Sequence, residues 1–288
     1  MQYNRISELI KKADNENIKI SQIVIEEEIY EREIDRSLVI DEMKKNLQVM
    51  RDSIKEGLEK DKKSASGLIG GEAKTLKNFD NFLGGNLYKE VLTKAIAVSE
   101  VNACMGKVVA GPTAGASGIV PAVLISLTEK YSISEDKLIE ALFTAGGLGE
   151  IVSKKATLAG AAGGCQAECG VGSAMAAGAA VELMGGTPKQ VGDAFALALK
   201  NLLGLVCDPV AGLVEVPCVK RNGFAASHAL SAVNMAMSGI ASVIPPDEVI
   251  EAMMEVGDLM SPSLKETSEA GLAKTETGRE IAEELQEL

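Results

Sequence analysis

The sequence predicts a mostly α-helical protein, a bundle of closely packed helices rich in alanine and glycine. Of its 288 residues, 46% are hydrophobic, yet only 3% are aromatic and none is tryptophan. A core without bulky rings fills its space with small side chains, and 29 glycines let helices approach one another closely. The alternation of polar and apolar residues that is typical of half-buried strands is scarce. Together these observations favour helices over a sheet.

The first sixty residues predict charged, amphipathic helices. Between residues 21 and 60, apolar side chains recur at spacings of three and four, which places them on one helix face. These side chains include Ile40, Met43, Leu47 and Met50. Ser21, a residue type common at helix N-termini, is predicted to cap the start of this segment. We interpret residues 1–65 as an N-terminal helical arm.

Glycine and proline divide the rest of the chain into helices and loops. A glycine-rich loop ends near residue 118 and leads into a helix with Pro121 in its first turn. Residues 200–223 are predicted to be irregular because Pro209 and Pro217 interrupt them. The other predicted helical stretches are residues 87–110, 135–200 and 224–243, and a last one that begins at about residue 247.

The acidic charge balance argues against nucleic acid as a partner. The formal net charge is −12 at pH 7, whereas phosphate binding requires a basic surface. The N-terminus shows no apolar stretch followed by a small-residue cleavage site, so we expect no secretory signal. A long uncharged run, residues 108–128, contains two prolines and three glycines, which makes it a poor membrane span. We therefore expect a cytoplasmic protein without a membrane partner.

Five cysteines leave two interpretations open. The CxxC, HExxH, P-loop and dinucleotide-binding patterns are absent from the sequence, and a reducing cytosol argues against disulfides. Cys165 and Cys169 stand four positions apart and are predicted to share a helix face. Cys207 and Cys218 stand at the ends of a segment that two prolines make rigid. From these residues alone, a metal site and buried core cysteines are equally good interpretations.

The segment AGPTAGASG, residues 110–118, also has two interpretations. Its backbone N–H groups, placed before a helix N-terminus, suit a small anion such as a carboxylate. A tight turn between packed helices is the commoner use of such a glycine-rich segment. The segment by itself favours the turn.

Four long segments, in this order, make the chain resemble a known family. They are EVNACMGKVVAGPTAGASGIVPAVL at residues 100–124, GCQAE at 164–168, CDPVAGLVEVPC at 207–218 with Arg221 and Asn222 after it, and AGLAKTETGRE at 270–280. Over roughly its whole length the chain resembles the iron-sulfur-dependent L-serine dehydratases. The resemblance is to the alpha subunit of the branch that has two chains.

The resemblance implies a [4Fe-4S] cluster held by Cys165, Cys207 and Cys218, with one iron left open. It also implies the conversion of L-serine to pyruvate and ammonia, in which the open iron acts as a Lewis acid on the serine hydroxyl. Such a cluster is expected to be oxygen-sensitive. A separate beta subunit completes the active site in this family and would supply the base. We therefore expect a hetero-oligomer in which residues 66–288 form the catalytic domain that carries the cluster.

The resemblance also indicates where L-serine would bind. The expected contacts of its carboxylate are Thr113, Ala114, Gly115, Ser117 and Gly118. Glu168, one helical turn from Cys165, is the predicted catalytic residue and would orient the substrate or accept its ammonium group. Asn222 is a further substrate-binding candidate, and Arg221 is a weaker one.

Three of the remaining residues are predicted to take no part in the chemistry. Cys104 and Cys169 match no required cysteine of the family, so we interpret them as packing residues. The single histidine, His228, is tempting as a base because histidine titrates near neutral pH. The family marks no essential histidine at this position, so we expect a hydrogen-bonded or partly exposed helical side chain.

Three other functions stay open on the sequence. A pyridoxal-phosphate lyase with the same net reaction would need a Schiff-base lysine, for which Lys154 or Lys155 would serve, and the cysteine spacing would have no purpose. A related cluster-dependent lyase that acts on cysteine or another small amino acid would use the same open iron. A cluster-binding protein without catalytic activity is the third alternative.

Overall fold

The computed structural model describes residues 2–60 and 62–287, and this part of the chain is mostly helical, as predicted. Its α-helices, in chain order, are α1 (Ile6–Glu16), α2 (Ile20–Arg32), α3 (Arg36–Glu59), α4 (Glu72–Lys77), α5 (Gly85–Ala103), α6 (Ile119–Tyr131), α7 (Glu135–Lys155), α8 (Gly160–Gly163), α9 (Val171–Leu183), α10 (Pro188–Lys200), α11 (Cys218–Met237), α12 (Pro246–Leu259) and α13 (Glu276–Gln286). The described residues contain no β-strand, and a single parallel bridge joins Cys207 to Lys265. None of the helices described here has the length and apolar character that crossing a bilayer requires.

Helix α9 forms the centre of the fold. All thirteen of its residues are buried, and helices α6, α7, α10 and α11 pack around it. Small residues make this possible. A Cβ added to Gly178 would lie 2.6 Å from the Leu148 Cδ1 atom, and one added to Gly172 would lie 2.9 Å from the Ile119 Cδ1 atom. The predicted packing of helices through alanine and glycine is therefore confirmed.

The N-terminal helices α1, α2 and α3 share one hydrophobic core with the rest of the chain. Acidic side chains of distant helices accept hydrogen bonds from N–H groups at the starts of α1 and α2. Asp247 of α12 accepts hydrogen bonds from the N–H groups of Ile6 (2.8 Å) and Ser7 (3.1 Å), and Glu182 of α9 accepts one from Ile20 (2.8 Å). Carboxylates at these places also complement the helix dipole. A domain boundary near residue 65 stays a prediction.

Two helix starts differ from the predicted ones. Ser21 lies inside the first turn of α2, so it is not the predicted cap. The carboxylate of Glu182 caps the start of the helix instead. The helix predicted for residues 224–243 begins at Cys218, directly after Pro217, and ends at Met237. A proline is tolerated at a helix start because its missing N–H would have no helical partner there. The segment before it is irregular, as predicted, apart from the 3-10 turn Val210–Gly212.

Candidate active site

A cavity of about 260 Å³ lies where the glycine-rich loop, the segment before α9, the segment before α11 and the C-terminal tail meet. Its lining residues are Thr113, Ala114, Gly115, Cys165, Glu168, Cys169, Cys207, Pro209, Val214, Cys218 and Glu266. Among them are the three cysteines predicted to hold a cluster, the predicted catalytic glutamate and three of the predicted carboxylate-binding residues. The structure therefore brings seven of the predicted site residues to one place.

The three predicted ligand cysteines are held by three different kinds of backbone. Cys165 directly precedes the π-helix Gln166–Gly170, a wide helical turn that is frequent at functional sites. Cys207 lies in an irregular segment, and its N–H donates to the carbonyl oxygen of Leu264 at 2.8 Å. Cys218 is the first residue of α11, where the helix dipole favours a thiolate. In the described part of the chain, no three His, Cys, Asp or Glu side chains lie close enough to hold a single metal ion.

Burial keeps most of these thiols protonated. Burial raises the pKa of Cys218 to about 12, and it raises the pKa of Cys207 well above its usual value. Cys165 is the exception. A hydrogen bond from Cys169 lowers the pKa of Cys165 against the effect of burial, and the nearby charge of Arg221 acts in the same direction. Three thiolates in one cavity would therefore need a cationic group beside them.

Glu168 points into the same cavity. The hydroxyl of Thr113 donates a hydrogen bond of 2.7 Å to its Oε1 atom. Burial raises the pKa of Glu168, although this hydrogen bond lowers it in part. Its other oxygen, Oε2, lies beside Gly160. A Cβ added to Gly160 would stand 2.5 Å from Oε2 and 3.2 Å from the sulfur of Cys207, so a glycine is needed where these two groups approach.

Asn222 lies behind the glycine-rich loop rather than in the cavity. It is fully buried, and its Oδ1 atom accepts a hydrogen bond from the N–H of Gly118 at 3.1 Å. Its Nδ2 atom donates to the carbonyl oxygens of Gly115 (2.6 Å) and Cys218 (3.1 Å). Ser117 and Gly118 are likewise not among the described residues that line the cavity. Direct binding of substrate by these three residues stays a prediction.

Comparison with known proteins identifies the family. The sequence profile described as "Serine dehydratase alpha chain" matches residues 15–273. The chain is also 46% identical over 286 residues to the "Probable L-serine dehydratase, alpha chain" of Bacillus subtilis (strain 168), a match that covers 98% of this chain and 95% of that protein. The chain belongs to the serine dehydratase alpha chain family.

Two further relatives have the same kind of name. The "L-serine dehydratase, alpha chain" of Peptoniphilus asaccharolyticus is 42% identical over 282 residues, and the match covers 96% of each chain. An L-serine dehydratase of Escherichia coli (strain K12) is 35% identical, and the match covers 94% of this chain and 61% of that protein. The chain therefore corresponds to nearly the whole of the alpha chains and to part of a longer relative.

The cavity also contains four residues that the sequence did not indicate as part of the site: Cys169, Pro209, Val214 and Glu266. Cys169, interpreted as a packing residue, is buried as expected, but it also lines the cavity beside Cys165. Glu266 was not predicted at all. Its N–H donates to the carbonyl oxygen of Cys207 at 2.7 Å, which brings the C-terminal tail to the cavity. The one signal in the sequence is that the motif AGLAKTETGRE begins four residues later.

Four other residues weighed in the sequence analysis, His228, Cys104, Lys154 and Lys155, do not line this cavity. The Nε2 atom of His228 lies 3.1 Å from the carbonyl oxygen of Ala198, to which the ring donates, so the predicted hydrogen-bonded helical histidine is confirmed. Cys104 lies at the C-terminal end of α5. Lys154 and Lys155 line a different cavity, between α7 and α12.

Proposed function

We propose that this chain is the alpha subunit of an L-serine dehydratase that converts L-serine to pyruvate and ammonia. The observation that carries the proposal is the convergence of Cys165, Cys207, Cys218 and Glu168 on one cavity. The printed names of the relatives support the same reaction. The name "alpha chain" supports a beta subunit as partner, and so a hetero-oligomer.

The same proposal includes a [4Fe-4S] cluster held by Cys165, Cys207 and Cys218. Thiolates are the usual protein ligands of such clusters. The raised pKa values of Cys207 and Cys218 indicate that these thiols ionise only with a strongly cationic group beside them. Three cysteine ligands would leave one iron free to act as a Lewis acid on the serine hydroxyl.

The chain's own residues bind and orient the substrate. The N–H groups of Ala114 and Gly115 donate no hydrogen bond within the described part of the chain, and both residues line the cavity. They can therefore donate to the serine carboxylate, as the N–H groups of glycine-rich loops do for other anions. Glu168, fixed by Thr113, accepts a hydrogen bond from the bound serine and orients it.

The reaction needs no oxidant or reductant. A base, which we assign to the beta subunit, takes the Cα proton, and the Cβ hydroxyl leaves as water. The remaining aminoacrylate gains a proton at Cβ, loses one from its nitrogen, and so tautomerises to an imine. Water then hydrolyses the imine to pyruvate and ammonia.

The first test is the metal content of the anaerobically purified chain. We compare the wild type with Cys207→Ser, and with Cys104→Ser as the matched control because Cys104 does not line the cavity. About four irons and four sulfides per chain are expected in the wild type and in the control, and a large loss in Cys207→Ser. Absence of iron from the wild type after anaerobic reconstitution would contradict the cluster.

The second test is turnover by the complex with the beta subunit. Pyruvate and ammonia should appear in equal amounts from L-serine, and the activity should fall in air. Sulfide release from cysteine with a higher kcat/KM would indicate a different lyase. No turnover of either amino acid with an intact cluster would indicate a binding protein. An absorption band that borohydride removes would indicate pyridoxal phosphate instead.

A further inference from the structure

Glu266 is the second carboxylate of the active-site cavity and stands at its mouth. It lines this cavity together with Glu168, and it also lines a neighbouring groove of about 890 Å³ that opens to solvent. Its side chain is exposed, whereas Glu168 is mostly buried. Glu266 therefore lies where a ligand would enter the cavity.

The backbone fixes Glu266 relative to Cys207. The N–H of Glu266 donates to the carbonyl oxygen of Cys207 at 2.7 Å, and the N–H of Cys207 donates to the carbonyl oxygen of Leu264 at 2.8 Å. Glu266 has a φ of +64°, a left-handed conformation that residues other than glycine adopt rarely. These two hydrogen bonds hold it there. The backbone from which the Glu266 side chain extends is therefore fixed beside Cys207, at the mouth of the cavity.

The Glu266 carboxylate has no partner in the described part of the chain. It accepts no hydrogen bond and forms no ion pair there, whereas Glu168 accepts one from Thr113. The described residues that line the cavity include two glutamates and four cysteines but no Lys, Arg or His. A lining of this composition favours a cationic group on the ligand.

We infer that Glu266 binds the ammonium group of the substrate amino acid. This inference rests on the proposed function, because it places an amino acid in this cavity. At the mouth, the ammonium group keeps part of its hydration and avoids most of the desolvation penalty that a fully buried ion pair carries. The carboxylate of the bound serine then reaches Ala114 and Gly115, and the hydroxyl end of the serine lies farther in, beside the cysteines. Glu266 thereby selects amino acids over carboxylic acids that lack the amino group.

The test uses the cluster-loaded complex with the beta subunit and three variants. Glu266→Gln removes the charge, and Glu266→Asp keeps it on a side chain one methylene shorter. Glu269→Gln is the matched control, because Glu269 is exposed and lines the groove but not the cavity. The probes are L-serine, L-alanine and propionate. L-Alanine cannot lose water, and propionate lacks only the amino group of L-alanine.

We expect Glu266→Gln to raise the KM for L-serine about tenfold, the usual effect of losing one charge-assisted hydrogen bond, with a smaller change in kcat. Titration calorimetry should show a similar loss of affinity for L-alanine and an unchanged affinity for propionate. Glu266→Asp should recover part of the L-alanine affinity, and Glu269→Gln should resemble the wild type.

Three results would overturn the inference. If Glu266→Gln lowers the affinities for L-alanine and propionate equally, Glu266 only supports the structure. If both affinities stay unchanged, Glu266 does not contact the ammonium group. The same conclusion follows if the wild type does not bind L-alanine. A failure of the proposed function gives a different result. In that case the wild-type complex would not dehydrate L-serine, while calorimetry would still report whether Glu266 recognises an ammonium group.

Discussion

Asn222 donates a hydrogen bond of 2.6 Å from its Nδ2 atom to the carbonyl oxygen of Gly115. The same side chain accepts a hydrogen bond from Gly118 and donates one to the carbonyl oxygen of Cys218. A single buried amide thus joins the glycine-rich loop to the start of α11. It sets the position of the proposed carboxylate site relative to one of the proposed cluster ligands.

Replacement of this amide is expected to destabilise the chain. Asn222→Ala removes the side-chain partner of three backbone groups, one of them buried and two partly buried, which should lower the free energy of unfolding by about 2 to 4 kcal/mol. Urea unfolding followed by circular dichroism measures this change. Asn234→Ala is the control, since Asn234 lies on the same helix, is exposed and donates only to the carbonyl oxygen of Leu230. If both variants lose the same stability, Asn222 does not hold the loop.

Asp208 connects the segment of Cys207 to the C-terminal tail. Its carboxylate accepts hydrogen bonds of 2.8 Å from the guanidinium of Arg221 and from the N–H of Leu272. In Asp208→Asn, the amide NH2 group would face one of these two donors. We expect the free energy of unfolding to fall by about 1.5 to 3 kcal/mol, as for other hydrogen bonds to charged groups.

Hydrogen exchange of the Leu272 amide reports on the tail directly. The amide should exchange at least about tenfold faster in Asp208→Asn, because a loss of 1.4 kcal/mol in local opening energy corresponds to a factor of ten. Asp258→Asn, an exposed change on α12, should leave this rate as it is in the wild type. Slow exchange that persists in Asp208→Asn would mean that other contacts hold the tail.

Alanine substitutions at two adjacent glycines of α7 should change the stability of the chain in opposite directions. A Cβ added to Gly146 meets open space, so Gly146→Ala should stabilise the chain by about 0.5 to 1 kcal/mol through helix propensity. A Cβ added to Gly147 would lie 2.4 Å from the Val24 Cγ2 atom, so Gly147→Ala should destabilise it by about 1 to 3 kcal/mol. Thermal unfolding distinguishes the two. A gain in both variants would show that α2 and α7 are not in close contact.

The helical class could be predicted from the sequence because composition and periodicity are local properties. Several boundaries could not. Asn17 and Glu33, directly after the ends of α1 and α2, adopt left-handed conformations at positions where glycine is usual. Helix α2 begins before Ser21 because the carboxylate of Glu182, far along the chain, caps it. Contacts of this kind leave no trace in a short window of sequence.

The same limit applies to the site. The resemblance indicated cysteines and loop residues that do line one cavity, because long motifs preserve such positions. It did not indicate Glu266, since the acid lies in an irregular segment with no catalytic pattern around it. The hydrogen bond from the N–H of Glu266 to the carbonyl oxygen of Cys207, 59 positions apart (266 − 207), places it at the cavity. Only the three-dimensional structure brings these two segments together.

A pair of glutamates, the half-buried Glu72 and the buried Glu100, gives the stability of the chain a pH dependence. Burial raises the pKa of Glu100 to about 8, and its contact with Glu72 acts in the same direction. Burial by itself would raise the pKa of Glu72. Hydrogen bonds from Glu100, Lys220 and Gly70 outweigh this effect and lower the pKa of Glu72 to about 2. Glu100 also accepts a hydrogen bond of 2.6 Å from the N–H of Glu72, at the start of α4. The folded chain thus holds a proton on Glu100 at neutral pH.

Because the folded chain holds this proton, Glu100→Gln should become more stable relative to the wild type as the pH rises. The folded state binds more protons than the unfolded state between the ordinary glutamate pKa of about 4.5 and the raised value of about 8. The stability that Glu100 contributes is therefore complete below pH 4.5 and is lost as the pH rises through 8. Glutamine keeps the neutral, hydrogen-bonding form at every pH. Urea unfolding at pH 5, 6, 7 and 8 should show the free energy of unfolding of Glu100→Gln rising relative to the wild type.

Glu72→Gln should behave in the opposite way. Because the pKa of Glu72 is lowered, its stabilising effect is present above pH 4.5 and is lost as the pH falls toward 2. Loss of the ion pair with Lys220, whose Nζ atom lies 2.5 Å from Glu72 Oε1, should lower stability throughout pH 5 to 8.

A difference in the free energy of unfolding between Glu100→Gln and the wild type that stays constant with pH would show that Glu100 is ionised in the folded chain. The shared proton would then be absent, and α4 would be capped by a carboxylate pair that Lys220 alone neutralises.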